Sequence, residues 1–293
     1  MLRIGKRGDA GEGKTFQING TIPAPRIRHT PKSSTPNPIH PNTFAAEYYT
    51  HMPRTPVIGI SSNCCLDLPL TDALEKLSQH TAFVEILSSG NHSLFDYGEA
   101  AASYPLRYSV HCPVSDGNIA EPNEKIRRAS VEVLAETAEA ADKINAEVLV
   151  IHPGYCLEPA LFSASEQALL RSVEELGNLQ EEYTVRFAVE NMGSLPCLHF
   201  RTPEFLPVVR EAGLGFCLDT GHASLNGVLN QFCKEHPCHL HLHDNDGVQD
   251  LHGACGAGRI DFEKVLGCGA ESAVIECMTR ENTERSLRYF GMG

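Results

Sequence analysis

"CHLHLHDNDGVQDLHGACGAGRIDF", residues 238–262, packs four histidines and four aspartates into twenty-five residues. At its start His239, His241 and His243 alternate with Leu240 and Leu242. That is the period of a β-strand, so the three imidazoles project to one face. The Asp- and His-rich residues that follow then form a loop at the strand's C-terminal end. Such crowding of metal-binding side chains describes one wall of a divalent-metal site at the mouth of a barrel, with other segments supplying the rest.

Working outward, seven more strand-like runs frame this one: 57–61, 82–87, 107–112, 147–152, 185–190, 214–219 and 272–277. Helical patterns lie between them, clearest over 123–146 and 163–183, where apolar residues recur three and four apart. Eight strand–helix alternations predict parallel pairing through right-handed crossovers, and that number favours a closed (β/α)8 TIM barrel of the α/β class. A doubly wound open sheet is the competing fold. It wants a Gly-rich dinucleotide loop after the first strand, and the residues there are "SSNCCLDLP".

At 293 residues the chain is long enough for one barrel plus a tail. Residues 1–54 are rich in Pro, Ser, Thr and Asn without helical or strand period, and read as a disordered basic tail or a misassigned start, Met52 standing just before the first strand. Residues 55–293 read as a single barrel domain. No apolar run reaches the roughly 18 residues of a membrane span, and a secretory signal core is missing, so a cytoplasmic protein without a membrane partner is expected. The eleven cysteines include no C-x-x-C, and Cys112, Cys156, Cys217 and Cys277 fall in or just beyond strands. Most are expected to be buried thiols in a reducing compartment rather than disulfides. Residues 55–293 hold sixteen basic and thirty-four acidic side chains, a net charge of −18. A surface of that sign disfavours nucleic acid as a partner.

The ends of six consecutive strands carry metal-ligand residue types: His111, His152, Glu190, Asp219 with His222, His241 with His243, and Glu276; Asp250 and His252 follow in the loop after strand seven. Barrels assemble their sites at that end. Uncompensated carboxylates and imidazoles gathered there would cost several kcal/mol apiece, and a cation removes the conflict. Mixed imidazole and carboxylate donors suit zinc, manganese, iron or cobalt rather than calcium.

The ordered set "HCP", "HPG", "VEN", "DTGHA", "HLHDNDG", "DLH" and a final "IE" resembles the xylose isomerase-like TIM-barrel superfamily, which holds sugar isomerases and epimerases and endonuclease IV. The resemblance spans about residues 57–280. Its endonuclease IV form implies metal ligands at His111, His152, Glu190, Asp219, His222, His241, Asp250, His252 and Glu276, up to three ions, with Glu190 bridging two. Its epimerase form implies one metal on Glu190, Asp219, His241 and Glu276, with His222 touching substrate. Glu190, Glu276 and His222 then become the catalytic residues, the two glutamates serving as acid and base.

Outside those ligands, His243 reads as a residue supporting the ligands or as a substrate contact, His239 as a filler lower in the barrel, and Glu85 as a structural carboxylate able to orient a ligand. Arg259 is expected to reach a substrate phosphate or to pair with Asp261. Three functions follow. The first is a sugar or sugar-phosphate isomerase or epimerase using one to three zinc, manganese or cobalt ions. The second is an abasic-site endonuclease, against which stands the absence of aromatic residues in "CPVSDGN" after His111. The third is a metal- or ligand-binding barrel without turnover.

Overall fold

The computed structural model describes residues 55–292; the tail expected over residues 1–54 lies outside them. Eight parallel strands close into a barrel in sequence order. They are β1 Val57–Ser61, β2 Phe83–Leu87, β3 Arg107–His111, β4 Val148–Ile151, β5 Arg186–Glu190, β6 Gly215–Asp219, β7 His239–Leu242 and β8 Ser272–Ile275. Each lies inside a run expected from the sequence, trimmed by no more than two residues at either end. The outer layer comprises α1 Leu70–Leu77, α2 Leu94–Ala102, α3 Glu124–Lys143, α4 Phe162–Gln180, α5 Leu206–Glu211, α6 Thr220–Leu225, α7 Leu229–Phe232, α8 Phe262–Leu266 and α9 Arg280–Tyr289.

Strand alternation sorts the core into two compartments. Leu149 and Ile151, Phe187 and Val189, and Leu240 and Leu242 point outward and join the large cluster packed under the helices. Their neighbours Val148, Val150, Ala188 and Cys217 point inward and form a small separate cluster with Cys238. This two-sided burial explains why the strands read as near-continuous apolar runs. Cys112, Cys156, Cys217 and Cys277 are buried free thiols, as expected.

Above the small cluster the interior turns polar. Glu85 Oε2 accepts from Ser109 Oγ at 2.9 Å and lies 3.1 Å from His239 Nε2, while His239 Nδ1 meets Ser272 Oγ at 2.7 Å. This network ties β2, β3, β7 and β8 together below the mouth. His239 is therefore the buried interior residue the sequence suggested.

Helix boundaries follow local chemistry. Asn123 caps α3 by accepting from the Lys125 N–H, and the chain leaves that helix through Asn145, whose φ of 55° is a left-handed conformation Asn tolerates. Among the described residues no helix is long and apolar enough to cross a membrane.

Gly59 of β1 lies hard against Phe83 of β2. A Cβ there would collide with the Phe83 carbonyl oxygen and stand 2.6 Å from the Phe83 ring. Gly59→Ala is expected to lower unfolding free energy by about 2 kcal/mol in urea titration, the order of an overpacked core site; an unchanged midpoint would contradict the fit described.

Candidate metal centre

Ligand-type side chains converge where strands β3 to β8 end. Glu190, Asp219, His241 and Glu276 form one buried group whose donor atoms lie within 4.8 Å of one another. His241 Nδ1 stands 3.2 Å from Glu190 Oε1, 3.2 Å from Glu276 Oε2 and 3.9 Å from Asp219 Oδ2. A second group is His111, His152 and Glu190; a third is His222, His243, Asp250 and His252. Glu190 belongs to two groups at once. Its Oε1 faces His241, while its Oε2 lies 3.3 Å from His111 Nε2 and 3.1 Å from His152 Nε2.

The hydrogen-bond pattern tests whether a cation fits. His111 Nδ1 donates to the Cys112 carbonyl at 2.7 Å, His222 Nδ1 to the Asn191 carbonyl at 3.0 Å, and His252 Nδ1 to the Glu276 carbonyl at 3.0 Å. In each neutral ring the remaining Nε2 is then a lone pair. Those lone pairs face carboxylates: His111 towards Glu190, and His222 and His252 towards Asp250 Oδ2 at 2.9 and 3.6 Å. Lone pair against carboxylate is repulsive unless a proton or a metal ion sits between them. His243 repeats the theme: its Nε2 donates to Asp219 Oδ2 at 2.9 Å, which leaves a fully buried Nδ1 without a partner. The donor set fits a divalent ion.

Without metal, protons must take that place. Burial works against charging His222, but Asp219 first and then Asp250 overcome it and lift the ring to about 10. His252, likewise opposed by burial, is raised to about 9 by its contact with Asp250 and the charge of Glu276. Burial pushes Glu190 upward, and the imidazoles of His241, His152 and His111 outweigh it, holding the carboxyl well below the usual range.

Short-range bonds aim these groups. Asn191 Oδ1 accepts from the Asp219 N–H while its Nδ2 donates to the Asp219 carbonyl, and its own carbonyl holds His222. Asp219 in turn caps α6 by accepting from the His222 N–H at 2.7 Å. Thr220 Oγ1 donates to the His241 carbonyl, locking α6 to β7. Asp244 is buried and accepts from the backbone N–H groups of Asn245, Gly258, Arg259 and Ile260. It closes the long loop on itself, and the bridge between Asp244 and Gly253 returns Asp250 and His252 to the mouth. His252 adopts a φ of 42°, backbone strain of the kind that collects at functional sites.

All nine residues of the nuclease-like set thus come together, in three connected groups. His243, expected as a support or a substrate contact, is fully buried against Asp219 and stacks on His252 with ring centroids 3.9 Å apart. Arg259 is exposed, and no ion pair with Asp261 forms among the described residues; its guanidinium lies by the Gly247 turn instead. Glu85 Oε1 stands 3.0 Å from His241 Nε2 but out of line for a hydrogen bond, and both atoms lack another partner. Asn191 and Asp244 were missed as positioning residues. The Asn was visible within "VEN" and the Asp within "HLHD", but only the fold shows what each holds.

Residues 83–267 match the family described as Xylose isomerase-like TIM barrel, and the chain belongs to that family. An uncharacterized protein of Methanocaldococcus jannaschii is 36% identical over 211 residues, covering 70% of this chain and 84% of its own. A D-tagatose 3-epimerase-like protein of known structure has a TM-score of 0.72 at 29% identity, over 80% of this chain and 96% of its own. A probable endonuclease 4 of Mycobacterium ulcerans is 30% identical over 197 residues, covering 62% of this chain and 75% of its own.

Zinc entry to the group of His222, Asp250 and His252 is expected to displace the protons on the two rings, so calorimetry near neutral pH in buffers of differing ionisation enthalpy should show proton release. Because both rings are raised above their ordinary value, the metal-free fold carries their stabilisation below about pH 6.5 and loses it as pH climbs through about 9 to 10, while zinc affinity rises over the same interval. Proton-neutral binding would contradict the carbonyl-pinned arrangement. Gly221→Ala is a second check. Its Cβ would meet His243 Nδ1 at 2.5 Å, so metal affinity should fall by about 10–100-fold in competition with a chelator.

Proposed function

We propose that the protein is a divalent-metal-dependent isomerase or epimerase acting on a sugar or sugar phosphate. The observation that carries this reading is the pair Glu190 and Glu276. Their carboxylates approach His241 Nδ1 from two strands at 3.2 Å each, at the mouth where a substrate would enter. The likeness to the D-tagatose 3-epimerase-like structure supports it.

Glu190, Asp219, His241 and Glu276 would hold zinc, manganese or cobalt. When bound, such an ion supplies positive charge against the oxyanion that develops as a proton leaves the adjacent carbon. One glutamate takes that proton on a carboxylate oxygen as the C–H electron pair moves towards the carbonyl. The other returns a proton to the opposite face, inverting the carbon or shifting the carbonyl. His222, fixed by the Asn191 carbonyl, presents Nε2 beside Asp250 and would hold a substrate hydroxyl.

A second reading, an abasic-site endonuclease with up to three zinc ions, is favoured by one observation: His111 and His152 share Glu190 with the inner group, and His222, Asp250 and His252 form another beside it. The acidic barrel weighs against it.

Incubated with manganese, cobalt or zinc and an aldose and ketose panel in heavy water, the protein is expected to wash deuterium into carbon. Glu190→Gln and Glu276→Gln should each lower that exchange by about 10²–10⁴-fold. Incision of an abasic-site oligonucleotide without any exchange would establish the second reading instead, and about three zinc ions per chain by elemental analysis would accompany it.

A further inference from the structure

A cavity of about 220 Å³ opens between the loops that follow β3, β4 and β5, with His152 in its wall. Its lining is largely apolar and includes Val114, Ile119, Leu134, Tyr155, Met192 and Leu198. The walls are preformed. Asn118 Oδ1 accepts from the N–H groups of Ala120 and Tyr155 while its Nδ2 donates to the Tyr155 carbonyl, which ties the β3 loop to the β4 loop. The Cys156 N–H donates to the Cys197 carbonyl at 2.7 Å, and Tyr155 bridges Leu198, which ties the β4 loop to the β5 loop. Gly154, at a φ of 89°, leaves no room for a Cβ against Asn118 and Ala120.

Ser130, Val133 and Leu134 of α3 complete the wall, and no Lys or Arg is among the residues that line the cavity. Residues 112–123 and 152–161 contain no Lys or Arg, and their ionised side chains are Asp116, Glu121 and Glu158. Arg201 of the β5 loop lines a different cavity beside Phe162 and donates to the Ser194 carbonyl. A phosphate seated here would be desolvated without a cation or a fork of donors to receive it. Val114 of the lining is instead an exposed apolar side chain, at 44% exposure. Apolar surface beside a site is where an apolar ligand gains most.

We infer that this cavity receives the non-reacting end of the substrate, and that this end is an uncharged alkyl or aryl group rather than a phosphate. The inference rests on the proposed isomerase reading: an α-hydroxycarbonyl head lies between Glu190 and Glu276, and the tail runs past His152. At a liquid-like ~30 Å³ per heavy atom, the cavity holds roughly seven tail atoms.

The test is a homologous series of 1-hydroxy-2-alkanones, from hydroxyacetone upward, titrated calorimetrically into the manganese-loaded protein. Affinity is expected to rise by about fourfold per methylene until the cavity fills, then to level. Dihydroxyacetone phosphate should bind no more tightly than hydroxyacetone. Val114→Lys, at a solvent-accessible position, should flatten the series and strengthen dihydroxyacetone phosphate, with an unchanged melting temperature confirming the fold. A flat series in the unaltered protein, no binding by any member, or tighter binding of the phosphate overturns the inference. Deuterium exchange followed on the same compounds separates the two ideas. A rising series without exchange sustains the cavity assignment and defeats the isomerase chemistry, whereas exchange with a flat series defeats the cavity assignment alone.

Discussion

Three imidazoles pinned through Nδ1 to backbone carbonyls set the terms for the rest of this structure. With His111, His222 and His252 so held, each ring presents Nε2 to a carboxylate. Such a contact is stable only with positive charge in the gap, from a proton or a metal ion. The carbonyls belong to residues at strand ends or just beyond them, so closure of the barrel fixes the ring orientations before any ligand arrives. Preorganisation of this kind spares the site the entropy of ordering its donors.

Much of the architecture was legible in the chain. Parallel strands buried on both faces leave apolar runs of four to six residues, and all eight were visible, as were the long helices α3 and α4. The convergence of Glu190, Asp219, His241 and Glu276 was legible too, because a strand-end position in a barrel of known order is already a position in space. What stayed hidden depends on side-chain direction. His241 and His243 share one face of β7; the resemblance implied His241 as the ligand, but only the fold shows that His243 turns to Asp219. Nor does it reveal that Asp244 spends its oxygens on four backbone N–H groups. Loop closure is set by tertiary contacts between residues fourteen to sixteen apart, for which no local pattern exists.

The mouth has two chemically different halves. Where the strands β3 to β8 end it is crowded with imidazoles and carboxylates, while the loops that follow β3, β4 and β5 expose Val114, Tyr155, Leu157 and Leu195. Glu190 joins two groups of imidazoles, Oε1 turned to His241 and Oε2 to His111 and His152. A substrate lying across it would meet charge at one end and hydrocarbon at the other, which fixes its direction without any contact to its middle.

The self-bonded Asp244 loop carries an evolutionary corollary. Since both feet are clamped to one buried carboxylate, the apex from Asp246 to Val248 can drift, lengthen or accept foreign sequence while Asp250 and His252 keep their places. Change at the apex and constancy of the ligand-type side chains are thereby separable within a single stretch of chain.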